Sequence, residues 1–452
     1  MQTIGAQLYD TLVGVNPKVE LEPALAESWE VKPGAKEWVF KLRKGVTFHN
    51  GKEMKAEDVV ASITYHSKPD SKSGMRALMR HLDEVRATNP YEVTIRLKNG
   101  DADLPYLLAE ERVAIAPAES VEKGFGDGIG TGVFVLESYD PGVRLRAKRN
   151  PNDWQTNRGY VDSLELLTIN NPSARLNALL SDAIHLANRI EPNSVATVEK
   201  SANHQIYNIA SGAHSLFAMG CDMAPFDNLD LRLALKYATD RNAIVRLVAR
   251  GYGKIANDHP IASFVPFAAN DIPQRPYDPD KASFHYKKSG HSGPIVCQIS
   301  ETTFVGAVEA AQVMSASAKK AGIDIQVNRV PADGYWDKVW RKVPLCGSRW
   351  AGRPTVDIML SSAYSSTAPF NDARWKNPKF DQLLEVARAE LDNNKRGQMY
   401  HDAQLMVHED AGSLIPLFEN IIDGGSKKVK GLEPSPLADL SRYRGLGKVW
   451  FD

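Results

Sequence analysis

Three kinds of feature are scarce in this chain of 452 residues: long apolar runs, cysteines, and an excess of charge of either sign. No uninterrupted apolar stretch approaches the roughly 18 residues that a membrane-spanning helix needs. Cys221, Cys297 and Cys346 are an odd count without CxxC spacing, which supports neither a zinc site nor a disulfide framework. Reduced, partly buried thiols are the simple reading, with one disulfide and a spare thiol still open in an oxidising compartment. Lys+Arg and Asp+Glu number 55 each, so no overall field points to nucleic acid or anionic lipid. The N-terminal MQTIGAQLYDTLVG lacks a basic stretch ahead of an apolar core, so no secretion signal is visible. A mature exported protein would read the same way.

Catalytic signatures are missing too. There is no HExxH, no G-x-S-x-G elbow and no Walker A loop. Gly290-His291-Ser292-Gly293 has neither the spacing nor the strand-to-helix setting of an elbow and reads as a turn. Residues 124–132, GFGDGIGTG, place Gly at every second position and lead into a strand, whereas a dinucleotide fingerprint needs G-x-G-x-x-G opening a helix. No cofactor is expected. The histidines are scattered, and His401 and His408, on one face of a helix, have no carboxylates arranged with them, so no metal site is expected. Carboxylate pairs such as Asp357 and Asp372 occur at ordinary density, and a glycosidase pair stays open because its members converge in space.

What is present is a chain too long for one core, which stops growing at about 250–300 residues, so two or three lobes are expected. Ile4, Leu8 and Leu12 have helical spacing. Trp38, Phe40 and Leu42 alternate as a strand before the turn at Asn50-Gly51, and Val93, Ile95 and Leu97 do so before Asn99-Gly100. With KAEDVVASITYH as a helix between them, this region predicts a small α+β lobe. The glycines at 124–132 suit a flexible crossing between lobes, followed by the strand VFVLESY. Further strands are expected at 143–147 and 164–169, with a helix at 173–180 carrying Ala174, Leu176, Leu179 and Leu180. Two helices are expected in 229–250, with Asp240 as N-cap and Gly251 as stop, then a Pro- and Asp-rich loop over 256–282. A helix at 305–321, ended by Gly322, passes straight into a strand at Ile323, Ile325 and Val327. Such helix-to-strand alternation predicts an α/β lobe. Stripes at Phe380, Leu383, Leu384 and Ala387, and at Met399, Tyr400, Ala403, Met406 and Val407, are core faces.

The order of motifs is similar to one known family. LAESWEVKPGAKEWVFKLRKGVTFHNGKEMKAEDVVASI resembles the opening of family 5 extracellular solute-binding proteins, the dipeptide-, oligopeptide- and nickel-binding components of bacterial ABC importers. The shared elements are Leu42-Arg43-Lys44-Gly45-Val46, Phe48-His49-Asn50-Gly51 and Ala56-Glu57-Asp58-Val59. GTGVFVLESYDPG resembles the family's "GTGPY" strand, with Val133 in place of Pro. RNPNDWQTNRGYVDSLELLTI, APFDNLDLRLALKYATDRNAIV, WKNPKFDQLLEVAR and SLIPLF resemble later segments in the same order. Two departures stand out. The family begins with a strand of about twenty residues ahead of the helix at Tyr9-Asp10-Thr11-Leu12, so this chain reads as trimmed at its start. Peptide binders also carry a "W-x-x-D-Y" stretch whose Asp receives the peptide's α-ammonium. The matching stretch here is SSAYSSTAPFND, residues 361–372, with Ser366 near the expected Asp.

The resemblance implies a periplasmic-binding-protein-like α/β fold of two hinged lobes plus a smaller inserted α+β domain. Lobe I would gather 1–28, 131–212 and 425–452, the insert would be 29–130, and lobe II 213–424. It implies a non-catalytic, monomeric, periplasmic or lipid-anchored extracytoplasmic protein. Such a protein captures a peptide-like or related solute between closing lobes and hands it to membrane permease subunits, with no nucleic-acid partner. A hydrolase acting on a saccharide or peptide is the alternative. Trp336, Arg349, Trp350 and Arg353 are the leading ligand-binding candidates, for aromatic stacking and carboxylate or phosphate recognition. Tyr364 and Ser366 follow by resemblance, then His214, Phe217 and Arg189. Loss of the ammonium-binding Asp points to a ligand that is not a free-amino peptide, such as an opine-like conjugate, a modified peptide or a sugar derivative.

Overall fold

The alternating segments become strands because each can bury one face. In the computed structural model, which describes residues 2–452 apart from the side chains of residues 2–4 and 77, Trp38, Phe40 and Leu42 lie on β2 (Glu37–Leu42). This strand pairs antiparallel with β1 (Ala26–Val31) on one side. On the other it meets β4 (Glu92–Leu97), whose far neighbour is β3 (Leu82–Asn89). Val59 and Ile63 of helix α1 (Ala56–Ser67) fill the same core as Phe40, Val93 and Ile95. Gly51 turns the chain at positive φ, as an Asn-Gly turn requires. The N-terminal helix covers Gln2–Leu8. It ends before Leu12, which is buried beyond it, and the side chain of Ile4 lies outside the described residues.

The chain divides into two compact units. The first holds residues 1–207, 388–393 and 422–452. Besides the four-stranded sheet it contains a three-stranded antiparallel sheet of β5 (Phe134–Asp140), β6 (Arg144–Arg149) and β7 (Ser163–Leu167). The helix Pro172–Leu180 forms as expected, capped by Asn171, but of its apolar residues only Leu179 is fully buried, while Ala174 is exposed.

The glycine-rich stretch 124–132 lies inside this unit, and its glycines serve two different needs. Gly124 and Gly128 have positive φ, the freedom the sequence suggested. Gly130 and Gly132 are needed for space instead: a Cβ on Gly130 would lie 2.1 Å from the Leu8 carbonyl oxygen, and one on Gly132 would lie 2.5 Å from that of Gln7. His49 pins the segment further. Its backbone N–H donates to Gly130 O at 2.8 Å, and its ring Nε2 lies 3.0 Å from Gly132 O. The segment is wedged into the unit rather than slack.

The second unit holds residues 208–387 and 394–421. The main strands of its mixed sheet run, in order, β12 (Ser413–Ser426), β8 (His204–Met219), β11 (Leu345–Trp350), β9 (Ile295–Ile299) and β10 (Ile325–Arg329). The pairs β9–β10 and β9–β11 are parallel, and β8–β11 is antiparallel. The helices Leu229–Ala238 and Ala307–Ala318 cover one face, with Leu235, Ala311 and Met314 packed on Phe217, Ile295 and Ile299. Asp240 caps the helix Arg241–Leu247 by accepting from Ala243 N–H. Gly322, at positive φ, stops the helical segment before β10. On the opposite side, Phe380, Leu384, Ala387, Tyr400, Ala403 and Val407 form a separate core with Val356 and Leu360. No helix among the described residues is long and apolar enough to cross a membrane, and all three cysteines are free.

Candidate functional site

Strand parity decides which candidate side chains can meet. Successive residues of a strand point to opposite faces, and directly opposed residues of an antiparallel pair share one. His214 on β8 opposes Trp350 on β11, whereas Ser215 opposes Arg349 and Phe217 opposes Gly347. His214 and Trp350 therefore share a face, and Arg349 and Phe217 belong to the other. Phe217 is fully buried there, edge-to-face on Phe304 with centroids 6.1 Å apart. The expectation that it contacts a ligand is corrected: three positions along a strand from His214, it is a core residue. Arg349 is exposed at the strand end.

Trp350 anchors the best-formed site in this unit. The Arg353 guanidinium lies 5.7 Å from its ring centroid, a cation–π distance, and its indole N–H donates to Asp372 Oδ2 at 2.6 Å. Asp372 Oδ1 accepts from a second indole, Trp340, also at 2.6 Å. Phe370 packs against both rings, 6.4 Å from Trp340 and 6.3 Å from Trp350, and Trp336 stands 6.0 Å from Trp340. Trp336 is 41% and Phe370 54% exposed, so this aromatic wall has an open side. Burial holds the Asp372 carboxyl above the usual aspartate range, despite bonds from Ser348, Trp350 and Trp340.

On the β8 side the site is lined by neutral imidazoles. Burial pushes His214 down to about 4, with the Arg353 charge acting the same way. Its Nδ1 lies 3.0 Å from Gly212 O, so that nitrogen carries the proton and Nε2, buried without a hydrogen-bond partner, is the free acceptor. The ring meets Phe418 at 5.7 Å. Gly212 and Gly352 approach so closely that a Cβ on Gly212 would lie 3.0 Å from Gly352 Cα. Next to them is a cavity of about 200 Å³ lined by Ser211, Asn257, His259, Phe264, Asn270 and Phe418, among others. His259 is likewise held down to about 4 by burial, and its Nδ1 has no hydrogen-bond partner.

The remaining candidates stand apart. Tyr364 is buried in the core beside Leu360 and Trp375, its hydroxyl bonded to Ser413. Ser366 accepts the Asn377 N–H at its hydroxyl, 3.2 Å, and donates its own N–H to Asp381, so it secures the entry to the helix Pro378–Ala389. Arg189 belongs to the first unit. It sits at positive φ and donates to Asp439 at 2.7 Å. There it lines a cavity of about 1140 Å³ with Tyr160, Arg175, His185 and Trp450. The structure thus brings together His214, Trp350 and Arg353, and joins Trp336 to them through Trp340 and Phe370. Sequence reasoning passed over Trp340, Phe370, His259 and Phe418 as site residues, and took Asp372 as an ordinary carboxylate. The signal for Trp340 was available: it shares the segment YWDKVWRK with Trp336.

Comparison with known proteins places the chain. The family profile described as bacterial extracellular solute-binding proteins, family 5 Middle, matches residues 20–372. Among curated proteins, the glutathione-binding protein GsiB of Pectobacterium atrosepticum is 25% identical over 96% of this chain and 87% of its own length. The dipeptide-binding protein of Escherichia coli K12 is 26% identical over 95% and 87%. Among solved structures, the periplasmic binding protein AgaA of A. tumefaciens R10, in complex with agropinic acid, superposes with a TM-score of 0.83 at 19% identity, covering 100% of this chain and 94% of that one. NikA of Brucella suis, in complex with Fe(III)-EDTA, gives 0.87 at 21% identity over 100% and 95%. The fold is that of the periplasmic binding proteins.

Proposed function

The chain belongs to the family 5 bacterial extracellular solute-binding proteins, and on that premise we propose that it recognises its ligand through an anionic group rather than a free α-ammonium. As a member of that family it is the extracytoplasmic substrate-binding component of an ABC importer and works with membrane permease subunits. The carrying observation is the Arg353 guanidinium stacked on Trp350, next to the neutral His214. A guanidinium is planar and always charged, and its fork of N–H donors matches the geometry of a carboxylate. The hydroxyl of Ser366 is engaged with Asn377 and supplies no charge for an ammonium. The ligand we favour is an opine-like conjugate, a modified peptide or an acidic sugar derivative. The structural neighbour holding agropinic acid agrees with that class.

Within this reading the protein acts in the periplasm as a monomer, without nucleic acid and without turning over its ligand. The gripping lobes are 1–28 with 131–212 and 425–452, and 213–424, with 29–130 as the insert. Trp336, Trp350, Arg353 and His214 bind in the second lobe. No observation favours the hydrolase alternative.

Calorimetry against free di- and tripeptides, N-acylated peptides and sugar–amino acid conjugates tests the proposal. Arg353→Ala is expected to weaken an anionic ligand by roughly 2–5 kcal/mol, on the order of 30- to 4000-fold, with the melting temperature of the empty protein unchanged. Sub-micromolar binding of free peptides that N-acetylation abolishes would refute it. So would release of hydrolysis products from the bound compound.

A further inference from the structure

Asp372 is an unusual acceptor. Its carboxylate is buried, and its two oxygens take the N–H groups of two different indoles, Trp340 and Trp350. Each of those indoles carries a guanidinium on its face: Arg341 lies 5.4 Å from the Trp340 ring and Arg353 5.7 Å from that of Trp350. The five side chains form one two-armed assembly, with the carboxylate at its centre and a cation at the end of each arm.

The chemistry explains why this position needs a carboxylate. An indole N–H is a donor only, so two of them require two acceptor atoms. An asparagine offers one oxygen and one NH₂, and the NH₂ would confront the second N–H. An apolar residue would leave both donors without this acceptor. Removing a carboxylate from water is costly, and here two neutral N–H groups and a hydroxyl are its hydrogen-bond donors, with Arg341 acting through its charge alone. An indole that donates to an anion has its π face made more negative, which strengthens its hold on a cation. The backbone adds to the fixation. Arg341 sits at positive φ, its guanidinium donates to Pro369 O, and its carbonyl accepts from Arg374.

We infer that Asp372 is a positioning residue: through the indoles of Trp340 and Trp350 it sets Arg341 and Arg353 as two cationic arms that receive the anionic groups of the ligand. This rests on the proposal that the Trp350–Arg353 face binds an anionic solute, and it extends that proposal to a second arginine. The ligand class it fits is one with two separated acidic groups.

The test needs no ligand and so fails separately from the ligand proposal. Indole and arginine side-chain N–H resonances are recorded on ¹⁵N-labelled protein and assigned through Trp340→Phe, Trp350→Phe, Arg341→Lys and Arg353→Lys. On acidification the Trp340 and Trp350 indole signals should move together, with a single midpoint above the usual aspartate range. The groups facing the carboxylate are Ser348, Arg341, Cys346 and Tyr364, none of which titrates in that acid window. Asp372→Asn should abolish the joint titration, and should move the arginine Nε–H signals out of the ring-current field of the indoles. If Asp372→Asn does not fold, Trp350→Phe must still leave the Trp340 signal titrating, and Trp340→Phe must leave that of Trp350. Indole signals that ignore pH, or that titrate with two different midpoints, would overturn the inference. So would arginine signals unaffected by the loss of the carboxylate.

Discussion

Lys236 is the most exposed test of the physical reading, because its ammonium is completely buried. Its Nζ donates to His408 O at 2.9 Å and, among the described residues, forms no ion pair with a carboxylate. Burial pushes its pKa down to about 7; the Arg275 and Arg232 charges push the same way, and Asp258 pulls against them. The sign follows from proton counting. Between pH 7 and about 10.4 the unfolded chain keeps a proton on this lysine that the folded protein has released, so its contribution to stability rises with pH across that window and is flat below it. One proton corresponds to about 1.4 kcal/mol per pH unit, or about 4–5 kcal/mol over the whole span. Buried thiols and phenols, raised in the fold, slope the other way at alkaline pH, so the wild type alone is uninformative. Lys236→Met removes only the lysine term. His408 O keeps a donor in the variant, since Arg275 also bonds to it at 3.0 Å. Urea unfolding of both proteins from pH 6 to pH 9.5 should give a wild-type-minus-variant difference that is level up to about 7 and then climbs by about 1.4 kcal/mol per unit. Parallel curves throughout would show that Lys236 stays charged in the fold.

Other perturbations follow from the same packing. Asp258→Asn leaves Arg241 and Arg275, both nearly inaccessible, without their shared counter-ion and should cost about 3–5 kcal/mol in thermal unfolding; a loss below about 1 kcal/mol would mean water reaches the cluster. Asp10 is buried, which alone would raise its pKa, yet Arg158 and Arg444 hold it down at about 2. Its contribution, about 2.5 kcal/mol, is therefore present above pH 4 and lost as pH falls towards 2, and Asp10→Asn should flatten that acid limb in circular dichroism. Gly130→Ala forces a Cβ onto the Leu8 carbonyl and should destabilise by about 2 kcal/mol or more, read as a lower urea midpoint at constant m-value. Gly142, with positive φ and open space, should lose only about 1 kcal/mol to alanine.

Much of the fold was legible because it repeats short-range signals. The alternation at Trp38–Leu42 and Val93–Leu97, the Asp240 cap and the Gly322 stop depend on neighbours a few positions away, and each is found in the structure. Contacts made between residues far apart in the chain were not legible. Gly130 and Gly132 read as flexible because a glycine needed for φ and one needed for space look alike in sequence; only the approach of the Leu8 and Gln7 carbonyls separates them. The exposed Ala174 shows the same limit from the other side, since helical spacing predicts a helix but not how wide a face its neighbours cover.

In the site, the residue types were legible and their partners were not. Trp350 and Arg353 were singled out with Trp336 and Arg349 as candidates from one segment, but that Arg353 lies over the Trp350 ring was not read from the sequence. Phe217 was a different kind of error, correctable from the sequence itself: once residues near 214 are read as a strand, His214 and Phe217 must face opposite ways. Asp372 could not be recognised locally. Its meaning comes from indoles 22 and 32 positions earlier, brought together where the turn at Trp340 and the end of β11 converge. What identifies it is donor arithmetic. Two indole N–H groups need two acceptor oxygens on one short side chain, and a carboxylate is the side chain that meets that demand. Replacing Asp372 by Glu keeps the acceptors but lengthens the stem by one methylene, so it should preserve the joint indole titration while shifting both signals. A variant that behaves like Asn would mean the two acceptors matter only at one fixed distance.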